Sequence, residues 1–139
     1  MSLMHEFAII PKEYNELKIL PTMKRVSISD DIILYMADSL KWIQTYWNGK
    51  EDKESLNYYG YSFISGENLN KLRHIVDNWK KLFSLAPDSF YITTGYLINE
   101  KHYEKTLIDK KKLIRLLDEW QSLCEEALKE NHNIIHRGV

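Results

Sequence analysis

Three amphipathic stripes and one run of β-forming residues predict an α+β fold, with three long helices packed on a small, mainly antiparallel sheet. The helical stretches are 29–48, 65–86 and 109–131; each repeats apolar residues at helical spacing, with one tryptophan on the apolar stripe itself (Trp47, Trp79 and Trp120). Aromatic and β-branched residues between 90 and 108, interrupted by a polar turn, supply the sheet. The 139 residues contain no internal repeat and no Gly/Ser/Pro linker, so 1–139 is expected to form one domain. "MSLM" at 1–4 reads as an expression leader over residues 1–3 ahead of a start at Met4, and 131–139 as a C-terminal tail.

"EFAII" (6–10) predicts a short strand, and "PKEYNELKIL" (11–20) a short helix with Pro11 in its first turn. The first long helix has Ser29 as N-cap and Asp30 and Asp31 in the first turn, where acids suit the macrodipole. Ile33, Met36, Leu40, Ile43 and Trp47 then form its stripe, and Asn48–Gly49 its stop. "NYYGYSFI" (57–64) predicts a strand with Tyr59, Tyr61 and Phe63 on an inward face, opposite Gly60, Ser62 and Ile64. The second helix follows Ser65–Gly66 and carries Leu69, Leu72, Val76, Trp79, Phe83 and Ala86 up to Pro87. A hairpin with arms 90–97 and 103–108 comes next. The third helix, capped by Asp109, buries Leu113, Leu117, Trp120, Cys124 and Ala127.

Composition narrows the function. Lysine and arginine number 7 against 9 acids in residues 1–66 and 12 against 11 in 67–139, so neither half is a basic footprint for nucleic acid. No apolar run reaches the ~20 residues that span a bilayer, and no membrane partner is expected. The single cysteine, Cys124, fits a reducing cytoplasm and forms no intrachain disulfide. Abundant Lys, Asn, Ile and Tyr suit an AT-rich bacterial genome.

The sequence holds no Walker loop, GxGxxG, nucleophile elbow, HExxH or CxxC, so neither a cofactor nor a catalytic residue is assigned. His132 and His136, at i and i+4, could share a helix face around a metal, but they fall where the third helix frays and are expected to face solvent. Cys124 lies mid-stripe, where a thiol packs as a small apolar group. Lys110, Lys111 and Lys112 put three cations in a helix's first turn, which marks a candidate anion site. Tyr35, Trp42 and Tyr46 lie together beside the first stripe, bordered by Asp31 and Asp38 and followed closely by Tyr58. Rigid aromatic anchors ringed by acids are the composition of interface centres, so these six are the candidate partner-binding residues.

The expectation is a small bacterial protein that acts by protein–protein contact, of the immunity or antitoxin type that masks a partner, with self-association as a further form of contact. The first alternative is an anion or nucleic-acid binding module centred on Lys110–Lys112. The second is a hydrolytic or metal-dependent enzyme using Asp31, Asp38 or the C-terminal histidines.

Overall fold

One six-stranded antiparallel sheet dominates the molecule, with two long helices against one of its faces. The computed structural model describes residues 3–139, so the leader expected at 1–3 falls outside the described residues except for Leu3. In chain order the elements are β1 (Met4–Ile10), β2 (Arg25–Ser29), α1 (Asp30–Tyr35), α2 (Ala37–Leu40), β3 (Gln44–Trp47) and β4 (Glu51–Glu54). They continue as β5 (Tyr61–Ile64), α3 (Gly66–Phe83), β6 (Ser89–Leu97), β7 (His102–Asp109), α4 (Lys110–Lys129) and β8 (Asn133–Arg137). The sheet order is β2-β1-β8-β5-β3-β4, while β6 and β7 form a separate two-stranded hairpin. The fold is α+β, but the prediction of three long helices with a small sheet is overturned: the described residues form one large sheet and only two long helices.

The missing helix has a physical explanation. Residues 30–40 are helical, but Met36 sits at φ −90°, ψ 0° and divides them into α1 and α2. The stripe still buries Ile33, Met36, Leu40 and Ile43. The step from Ile43 to Trp47 is four residues, which is even, so it suits a strand face as well as a helix face. Gln44–Trp47 is β3, and Asn48–Gly49 is the tight turn of the β3–β4 hairpin, not a helix stop. Both turn residues have positive φ (52° and 69°), and Lys50 N–H donates to the Trp47 carbonyl.

The expected tail is likewise wrong. Asn131 is left-handed (φ 57°), with its N–H on the Leu128 carbonyl and His132 N–H on the Ala127 carbonyl, the paired bonds of a Schellman stop. The chain turns there and enters the middle of the sheet as β8, between β1 and β5. A strand buried on both faces lacks polar alternation, which is why "NIIH" looks featureless in sequence.

Both sheet faces are covered. Phe7, Ile64 and Ile134 meet Leu69, Leu72, Val76, Leu113, Leu117 and Trp120 on the helix side. Ala8, Ile10 and Ile135 face the other way and are covered by the 11–24 segment through Ile19, Tyr14 and Met23. That segment is turn and irregular backbone, not the predicted short helix. The inward face of β5 is also reversed from expectation. Ser62 and Ile64 are buried toward the helices, Tyr61 and Phe63 pack on the second face, and Tyr59 is 82% exposed.

Candidate functional site

The six residues predicted to form one partner surface come from α1, from α2 and the turn after it, from β3, and from the loop before β5. Tyr35 ends α1 and sets its ring against Trp79 (centroids 5.7 Å) and Phe83 (6.0 Å). Trp42, 65% exposed, lies after α2 and borders a groove of about 350 Å³ against α3. Trp79, Ile75 and Leu82 supply the apolar wall, and Lys71 and His74 the rim. Ser39 holds Trp79 in place by accepting from its indole N–H at 2.8 Å. Tyr35 and Trp42 therefore share Trp79 as their common neighbour.

The other four differ in their surroundings. Tyr46 pairs directly with Phe63 across β3 and β5, which puts it on the opposite face of the sheet. Asp31 accepts the Thr106 hydroxyl at 3.3 Å, Asp38 pairs with Lys41 at 3.5 Å in solvent, and Tyr58 donates its hydroxyl to Asp30 at 2.7 Å. Asp31 and Tyr58 therefore have internal partners, while Asp38 stays in solvent.

The lysine turn is partly structural. Asp109 caps α4 as predicted, its carboxylate accepting Lys112 N–H at 3.2 Å, so the helix end already holds an anion of its own. Lys110 reaches back to the Ala86 carbonyl at 2.8 Å and ties the start of α4 to the end of α3. Lys111 and Lys112 are exposed.

Cys124 is buried, and burial followed by the Glu125 charge pushes its thiol up to about 12. A neutral thiol at that depth is not a nucleophile. His136 is fully buried in β8, contrary to the solvent-facing position expected for it, while His132 lies near Glu130 at 3.4 Å. Among the described residues no group of His, Cys, Asp or Glu is arranged to hold a metal ion.

Two features escape the sequence. The first is a polar chain under the helix layer. Ser62 Oγ is 3.1 Å from His136 Nδ1, His136 Nε2 is 2.9 Å from His5 Nδ1, and His5 Nε2 is 2.9 Å from the Asp30 carboxylate. Asn57 N–H donates to Ser62 at 2.7 Å, and Tyr58 closes the other end on Asp30. Burial, then that hydrogen bond and charge, pushes the Tyr58 phenol up to about 12, so it stays a donor. The order nucleophile, base, orienting acid resembles a catalytic chain. His5, Ser62 and His136 have no exposed surface, however, so no substrate reaches them in this conformation.

The second is the outer face of the β6–β7 hairpin. Tyr91 pairs with Leu107, Thr93 with Lys105 and Tyr96 with Tyr103. Tyr91 and Tyr96 are five residues apart, an odd step that puts them on opposite faces of a regular strand. A β-bulge between Thr93 and Gly95 leaves Thr94 unpaired and restores both tyrosines to one face. Tyr91, Tyr96, Tyr103 and Leu107 are each more than half exposed, and the Tyr96 and Tyr103 rings meet edge-on at 5.0 Å. The opposite face anchors the arm through buried Ile92 and through Phe90 and Ile108 against the core. The tyrosines were visible in the sequence, but the bulge that aligns them was not.

In comparisons with protein-family models, curated proteins and solved structures, the chain has no match.

Proposed function

We propose that this chain is a protein-binding module that masks a partner, in the manner of immunity and antitoxin proteins, and that the outer face of the β6–β7 hairpin is its principal contact. The bulge-aligned ladder of Tyr91, Tyr96, Tyr103 and Leu107 carries this reading. Tyrosine offers a large, rigid contact area with a polar tip, and aromatic residues are enriched at the centres of interfaces. The cross-strand pairs steady the hairpin itself, yet all four side chains stay more than half exposed on one face. Trp42 and the groove against Trp79 provide a second apolar surface on the same chain.

The anion-binding alternative is weakened because Asp109 and the Ala86 carbonyl already engage the α4 start and Lys110. The enzyme alternative is weakened because the one chain of catalytic order is sealed. Co-purification from the native host of the unaltered chain and of a Tyr91→Ser, Tyr103→Ser variant tests the proposal. A stoichiometric partner retained by the first and lost by the second, at equal melting temperature, is the expected result. A partner retained equally by both would remove the hairpin from the account, and loss of binding between about 50 and 200 mM salt would favour the anion reading instead.

A further inference from the structure

We propose that the buried chain Ser62–His136–His5–Asp30 is a reversible proton relay: it takes up one proton by reversing its Ser62–His136 and His136–His5 hydrogen bonds, with the fold intact, and it has no arrangement for a second. The neutral arrangement follows from the partners. Asp30 only accepts when ionised, so His5 Nε2 carries a hydrogen and donates to it at 2.9 Å. His5 Nδ1 is then a bare acceptor, and His136 Nε2–H donates to it at 2.9 Å. His136 Nδ1 is in turn bare and accepts the Ser62 hydroxyl at 3.1 Å. Every imidazole nitrogen has a partner, and all the bonds run from Ser62 toward Asp30.

A proton added to His5 Nδ1 makes that nitrogen the donor and completes an imidazolium–carboxylate pair with Asp30. His136 Nε2 must then accept, so the His136 hydrogen moves to Nδ1 and points at Ser62. The Ser62 oxygen has two acceptor sites; Asn57 N–H fills one and His136 Nδ1–H can fill the other. Ser62's own O–H gives up its acceptor, which is the cost of reversal. His136 changes tautomer and remains neutral. A second proton would place hydrogens on both His5 Nδ1 and His136 Nε2, two donors facing each other at 2.9 Å. Burial, followed by the His5 neighbour, also drives the His136 imidazole well below its ordinary value, consistent with its staying uncharged.

The surroundings favour His5 as the charged member. From α1 the pair meets Asp30 and, beyond it, Asp31; from the 57–60 loop it meets Tyr58, with the exposed Tyr59 ring behind it. From β5 it meets only the Ser62 hydroxyl, and from α4 the Trp120 ring by way of Phe7, with the neutral Cys124 thiol one turn on. Glu6 and Arg137, the charged neighbours in β1 and β8, lie on the opposite sheet face and pair with each other at 2.8 Å. The one anion that touches the relay is at its His5 end.

Long-range proton–nitrogen NMR of the two imidazoles in the intact chain tests this directly, from about pH 7.5 down to the acid limit of the folded state. The expected result is an Nε2–H tautomer for both rings at the start, and on acidification an imidazolium at His5 together with an Nδ1–H tautomer at His136, while the backbone spectrum stays native. An Asp30→Asn variant lacks the carboxylate that holds the imidazolium, so His5 should stay neutral and His136 should keep one tautomer throughout; if that variant does not fold, the unaltered chain decides alone. Persistence of the Nε2–H tautomer at His136 over the whole folded range overturns the proposal. So does charge appearing on His136.

Discussion

Cys124 and His136 mark the limits of judging single residues from their neighbours in sequence. Cys124 was legible as core because it falls within an unbroken helical stripe between Trp120 and Ala127, and all three are fully buried. Its thiol, pushed up to about 12 by burial, should label slowly in native protein and rapidly in unfolded protein; fast native labelling with a thiol reagent would contradict the packing. His136 was not legible, because its role depends on a partner 131 residues away in His5. Only the period-two alignment of His5 with Phe7 and Ile9 in "HEFAI" hinted that a histidine lay on a core face. Tyr35, Trp42 and Tyr46 are all exposed as expected, but Tyr46 was joined to the other two by a helix that does not reach it, and Tyr58 only by its closeness in sequence.

At the scale of elements, α3 and α4 were legible because long periodic stripes with an N-terminal signal leave few alternatives, whereas residues 29–48 satisfied two periods at once. The hairpin was legible as a hairpin, and the alignment of its exposed tyrosines was not, since register and bulge are cross-strand properties. The lysine turn shows how an element boundary divides neighbouring residues by role. Lys111→Glu should stabilise the protein by roughly 0.3–1 kcal/mol, because an acid suits the start of α4. Lys110→Glu should destabilise it, since it removes the donor to the Ala86 carbonyl and places an acid beside Asp88. Urea unfolding of the two variants measures this contrast, and equal shifts in the same direction would mean that Lys110 does not tie α3 to α4.

Across the whole molecule, the first and last strands lie side by side, so closure of the sheet joins chain segments that local sequence cannot connect. The relay makes that closure sensitive to pH. The His136 value is lowered in the folded state, so the unfolded chain binds the extra proton; its stabilising contribution is complete above about 6.5 and is lost as pH falls from there toward the folded value. The folding constant should therefore fall about tenfold per pH unit for each proton the folded state excludes, measurable as urea midpoints between about pH 7 and 5. A midpoint that does not change over that range would contradict the buried neutral imidazole. Whether the outer face of the β6–β7 hairpin meets a protein partner is decided by a photo-crosslinking residue placed at Tyr103 in the native host, with the still more exposed Tyr59 as the control. One discrete adduct from position 103, and none in common with position 59, is the expected result. No adduct at 103, or the same adducts from both positions, would contradict it.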